Sequence, residues 1–140
     1  GGIVIAIGTM LDSIDGSMAR LSGKVSKYGD LLDSVIDRYS EGIIFIGIAS
    51  FYIFQELNKL AILLCIISLL CSQLISYTRA KCESLNIENK SGLFTRVERS
   101  MILIVFLIIS QPLLGLYILV IGTSISSFWR LIAGLKNAQN

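Results

Sequence analysis

Long apolar runs broken by short polar clusters organise the chain, and read for hydropathy they predict five membrane-spanning helices, over residues 2–21, 28–54, 60–81, 93–109 and 112–135. The breaks are brief: a turn at 55–59, a polar loop at 82–91, and Gln111-Pro112, where proline suits the first position of a new helix. The second run would be about 40 Å long at 1.5 Å per residue, more than the hydrocarbon core of a bilayer. Its first turns, with Asp33, Asp37, Arg38 and Glu41, are therefore expected among the headgroups, while Gly42 to Phe54 fill the bilayer. In the first run Gly8, Asp12 and Gly16 fall four apart, a narrow strip where another helix can approach closely. There is no repeat, low-complexity tract or soluble segment, so residues 1–140 read as one all-α, polytopic transmembrane helical bundle.

Composition agrees. The 140 residues are 54% hydrophobic and only 16% charged, where soluble domains carry about a quarter charged residues. A net charge of +2 without a polybasic run gives no reason to expect nucleic acid as a partner. Tracing the five runs alternately across a bilayer puts Arg20, Lys24, Lys27, Arg38, Arg79, Lys81, Lys90, Arg96, Arg99, Arg130 and Lys136 on one side and Lys59 alone on the other. By the positive-inside rule the crowded side is cytoplasmic, which predicts an integral membrane protein with its basic side facing the cytoplasm. Histidine is absent, so any chemistry rests on carboxylates, lysine, tyrosine or metal. Cys65, Cys71 and Cys82 form no CxxC and read as reduced packing residues rather than disulfide or zinc ligands. The chain opens at Gly1-Gly-Ile-Val without a charged leader, as if inside an apolar helix, and a fragment is expected.

Against this background four acids stand out: Asp12, Asp15, Asp33 and Asp37. One aspartate at the centre of a membrane helix costs about 2.5–3.5 kcal/mol, so four uncompensated ones are untenable even if partly exposed to headgroups. Asp12 and Asp15 are i, i+3 and Asp33 and Asp37 i, i+4, so each pair shares a helix face, and the residues between allow the chain to reverse and bring the faces together. Such an all-oxygen cage suits a hard divalent ion, and its four negative charges are matched by two Mg²⁺ or Mn²⁺. Gly16 and Ala19 leave room for a flat ligand near the backbone, and Arg20 offers a fork for phosphate.

These residues form the run DxxDGxxARx8Gx3Dx3D, which resembles the signature of the CDP-alcohol phosphatidyltransferases at every fixed position. The resemblance implies a membrane enzyme of phospholipid synthesis with a six-span fold, here lacking its first helix, and a homodimer. It implies that Asp12, Asp15, Asp33 and Asp37 hold two metal ions that grip the diphosphate of a CDP-linked lipid. Asp15, Gly16, Ala19 and Arg20 would contact the CDP moiety, and Asp37 would be the general base that deprotonates the acceptor hydroxyl.

A second, basic constellation comprises Arg79, Lys81, Arg99 and Arg130, all near predicted helix ends. Lys24, Lys27, Lys90 and Lys136 read as side chains that snorkel to lipid phosphates. For the former four a pocket for a phosphorylated acceptor is the better reading, since Arg130 sits about a turn inside its span. SYTRAKCESLxI, GLxxRxERxxIL and LLDSVIDR resemble the inositol-phosphate branch of the family, the phosphatidylinositol-phosphate and archaetidylinositol-phosphate synthases. That branch implies acceptor-phosphate contacts at Arg79, Lys81, Arg99 and Arg130, with Lys81 replacing a frequent arginine. Glycerol phosphate as acceptor and a di-inositol product remain alternatives, as does, outside enzymes, a cation or proton carrier. Asp30 reads as a solvated helix-start acid; Ser34 and Tyr77 fit packing as well as substrate contact; Arg38 and Glu41 are expected to pair with each other.

Overall fold

The computed structural model describes residues 27–89 and 94–138, and within them the chain forms four helices and no strand. They are α1 (Lys27–Phe54), α2 (Lys59–Ser84), α3 (Arg96–Ile108) and α4 (Pro112–Ala138). The expected run over residues 2–21 lies outside the described residues. Two of the four helices, α2 and α4, are long and apolar enough to cross a membrane. The 28 residues of α1 are long enough, yet even its last 18 residues, 37–54, open with Asp37, Arg38 and Glu41. The 13 residues of α3 reach only about 20 Å, short of the hydrocarbon thickness. Five spans are thus more than these residues display.

Local chemistry sets the helix ends. The Asn58 side chain accepts from the Ala61 amide at 3.1 Å and caps α2. At the other end α2 continues past Lys81 to Ser84, and Asn86 takes the left-handed conformation (φ 57°). The Ile87 amide then donates to the Cys82 carbonyl and the Asn86 amide to Glu83, a Schellman closure that turns the chain back over the bundle. Ser110 (φ 57°) closes α3 in the same way, with the Gln111 amide on the Phe106 carbonyl, and Pro112 starts α4 where its missing N–H is harmless.

The central seam joins α2 to α4; α1 packs on α2, and α3 packs on α4. Small residues make the seam: Ser68, Cys71 and Ser72 on α2 and Gly122, Thr123, Ser126 and Ser127 on α4 are all buried. The Thr123 hydroxyl turns back onto the Leu119 carbonyl at 2.6 Å, so burying it leaves no unmet donor. All three cysteines are buried and free, as expected of packing residues. Glycines on α4 admit neighbours at three heights: the Phe106 ring stem at Gly115, the Phe94 ring at Gly122, and the Cys82 sulfur at Gly134.

The apolar core occupies the half of the bundle nearest the α1–α2 turn, where Phe45, Ile48, Tyr52, Ala61, Leu64, Cys65, Leu103, Leu116 and Leu119 meet. Outward faces are apolar too: Leu63, Ile66 and Leu70 on α2 and Ile121, Ile125 and Phe128 on α4 are exposed. A surface of that kind is at home against lipid chains.

Candidate active site

Opposite the apolar half the bundle becomes charged. On α1, one turn apart, Asp33 is exposed while Asp37 keeps only 13% of its side chain accessible. The guanidinium of Arg96, at the start of α3, lies 2.5 Å from Asp37 (Nη1 to Oδ1). One turn further along α1, Glu41 meets Arg99: Nε donates to Oε1 at 2.9 Å and Nη2 to Oε2 at 3.3 Å. Both partners are buried, at 8% and 2% exposure. Glu41 therefore pairs with Arg99, not with Arg38 as expected; the carbonyl of Arg38 instead accepts from Gln73 Nε2 at 3.5 Å. Helical geometry explains the two rungs, since acids at i, i+4 on α1 face arginines at i, i+3 on α3. The backbones of α1 and α3 stay apart, and these two long side chains bridge the cleft between them.

The start of α3 is fixed by its own sequence. The Thr95 amide donates to the Glu98 carboxylate at 2.6 Å, an acid in the first turn where the helix dipole favours it. Phe94 precedes it with φ 60°, a strained setting for a large residue. Two contacts hold it there: its ring fills the notch at Gly122, and its carbonyl accepts from Arg99 Nη1 at 2.8 Å.

Beside this rung opens a cavity of about 420 Å³ lined by Arg79, Glu83, Asn86, Asn89, Thr95 and Arg130, among others. Asn89 is buried and its Nδ2 donates to the Arg130 carbonyl at 3.1 Å, while Asn137 Nδ2 donates to the Glu88 carbonyl at 2.7 Å; together they tie the loop after α2 to α4. Arg130 is 5% exposed, and the charges of Arg79 and Arg99 are close enough to act on it. A second cavity, of about 460 Å³, lies at the other end beside Tyr52, Glu56, Asn58 and Pro112, and its only charged lining residue is Glu56. The first cavity pairs two guanidiniums, Arg79 and Arg130, with two carboxylates, Glu83 and Glu88, and of the two cavities it alone has cations in its lining to meet an anionic ligand.

Of the basic residues singled out in the sequence, Arg79 and Arg130 thus line one cavity, and Arg99 sits behind it in the pair with Glu41. Lys81 is exposed and is not among the lining residues. Arg79 also forms an exposed i, i+4 contact with Glu83, Nε to Oε1 at 2.9 Å. Asp12, Asp15, Gly16, Ala19 and Arg20 lie outside the described residues, and among the described residues no cluster of three or more acids, cysteines or histidines could hold a metal ion. What is described fits half of the expected donor set: two carboxylates one turn apart, with a guanidinium already drawn to Asp37. Sequence reasoning missed the Glu41–Arg99 pairing, Asn89, Thr95 and the Phe94–Gly122 contact. Glu41 had one available signal, its spacing to Asp37 matched by that of Arg96 to Arg99.

Comparison with known proteins places this geometry among relatives. The family model described as CDP-alcohol phosphatidyltransferase matches residues 1–129. An archaetidylinositol phosphate synthase of Pyrococcus horikoshii is 33% identical over 139 residues, 99% of this chain and 71% of that protein. A phosphatidylinositol phosphate synthase of Streptomyces avermitilis is 39% identical over 109 residues, 75% of this chain and 43% of the relative. An uncharacterized protein of Aquifex aeolicus is 34% identical, covering 91% of this chain and 65% of its own length, so the chain spans less than two thirds of several relatives. Among solved structures, Mycobacterium tuberculosis phosphatidylinositol phosphate synthase with CDP-DAG bound superposes with a TM-score of 0.89 at 27% identity, over 96% of this chain and 72% of that one. The same enzyme in complex with manganese and citrate gives 0.89 and 27%, over 96% and 69%.

Proposed function

Because the chain belongs to the CDP-alcohol phosphatidyltransferase family, we propose that it carries the catalytic part of a membrane enzyme moving a phosphatidyl or archaetidyl group from a CDP-linked lipid to a phosphorylated polyol, with inositol phosphate the acceptor. The observation that carries the reading is the convergence of Arg79 and Arg130 on one cavity, at the end of the bundle where Asp33 and Asp37 stand. The names of the Pyrococcus and Streptomyces relatives favour inositol phosphate over glycerol phosphate.

In this reading Asp33 and Asp37, with Asp12 and Asp15, hold two Mg²⁺ or Mn²⁺ ions; the relative in complex with manganese supports a divalent requirement. When bound, the ions neutralise the diphosphate and the charge that develops on leaving CMP. Gly16 and Ala19 give the cytidine close backbone approach, and Asp15 and Arg20 complete the CDP contacts. Arg79 and Arg130 receive the acceptor phosphate, Arg99 adds charge from behind, and Lys81, exposed and outside the cavity lining, joins them only by turning its side chain inward. The acceptor hydroxyl attacks the lipid-side phosphorus, the bond to CMP breaks, and Asp37 takes the hydroxyl proton. The partial burial of Asp37 beside Arg96 keeps that carboxylate ordered before substrate arrives. A homodimer of six-span subunits in a prokaryotic plasma membrane, with the basic end cytoplasmic, completes the proposal.

The test is CMP release from CDP-diacylglycerol by the full-length protein, with inositol phosphate, glycerol phosphate and free inositol compared in parallel. Turnover with inositol phosphate is expected. Release only with an unphosphorylated alcohol would overturn the pocket, and no release with any acceptor would overturn the enzyme.

A further inference from the structure

Glu41 belongs to none of the groups that the reaction above requires, yet it is one of the most deeply buried charges in the described residues. A guanidinium offers five N–H donors. Arg99 directs two of them, from Nε and Nη2, to Glu41 and one, from Nη1, to the Phe94 carbonyl. Arg99 is 2% exposed and does not line the cavity, so it acts there through its charge on the lining residue Arg130. Without Glu41, Arg99 would be a buried cation with no partner carboxylate, close enough to act on Arg130, and like charges so placed drive each other apart or out to solvent. Its hold on Phe94, and through Phe94 on the rim residue Thr95, would go with it.

We infer that Glu41 is a positioning residue for the acceptor: by clamping Arg99 along one edge it holds that charge behind Arg130 and keeps the two buried guanidiniums together while the cavity is empty. The inference rests on the functional reading above and deepens it.

A strut that merely ties α1 to α3 would, when broken, reduce the amount of folded enzyme and weaken both substrates alike. The clamp predicts a different pattern. In the full-length protein with CDP-diacylglycerol and inositol phosphate, Glu41→Gln is expected to raise KM for the acceptor about tenfold or more, with kcat and the CDP-diacylglycerol KM held within about threefold. Glu41→Asp, which keeps the charge on a shorter arm, should recover part of the loss, and it replaces the glutamine variant if that one does not fold. In an Arg99→Met background, Glu41→Gln should add nothing further to the acceptor KM. An unchanged acceptor KM in either Glu41 variant, or a parallel rise for both substrates, overturns the clamp while leaving the enzyme reading intact. Wild-type protein that releases no CMP overturns the reading and the clamp with it.

Discussion

The two ends of the bundle are held by different means. Near the α1–α2 turn, nine apolar side chains form a core without a charge in it, and any one of them shares its neighbours with several others. At the opposite end two ion pairs bridge α1 and α3: Asp37 with Arg96, Glu41 with Arg99. Apolar packing is non-directional, so loss of one member is felt as lost stability. A buried ion pair is directional, and removing one partner strands the other. The contrast teaches that a substitution at the apolar end is felt across a whole core, while one at the charged end is felt by one particular partner.

Five experiments would break or sharpen that contrast, in descending order of effect. Chelation by EDTA should silence CMP release, with Mg²⁺ or Mn²⁺ restoring it; metal-independent turnover would remove the carboxylates from the chemistry. Asp37→Asn should slow CMP release by about 10²–10⁴-fold, the range for a lost general base, while CDP-lipid binding persists. Leu119→Ala, at the fully buried centre of the apolar end, should lower unfolding free energy by about 2–5 kcal/mol and leave both KM values alone. Gly122→Leu, which collides with the Phe94 ring, should destabilise by about 1–3 kcal/mol and also raise the acceptor KM, since Phe94 adjoins the rim. Glu83→Gln breaks only the exposed contact to Arg79 and should change stability by less than about 0.5 kcal/mol in a thermal melt.

The helices were legible because long apolar runs admit few other structures in this composition, and four of the five predicted runs correspond to described helices. The ends were less so. Helix α2 was expected to stop at Lys81 and runs on to Ser84, although Asn86, a residue tolerant of the left-handed turn, marked the true exit. The fourth run was expected from Leu93, whereas Thr95 and Glu98 put the helix start at Arg96. A pattern that repeats along one helix can be read from the chain, so Asp33 and Asp37 were found. Glu41 with Arg99 is a contact between residues 58 apart and depends on which faces of α1 and α3 oppose each other. No local spacing contains that information, and the notch at Gly122 that receives Phe94 was hidden for the same reason.

The three notches on α4 have a mechanical corollary. With a neighbour's side chain seated at Gly115, Gly122 and Gly134, the helix is keyed like a lock barrel and cannot spin about its axis. Faced with a thinner bilayer it must lean as a rigid rod, and the rod carries Arg130, about 22 Å along the axis from Gly115. A change in bilayer thickness would then move Arg130 together with the whole helix.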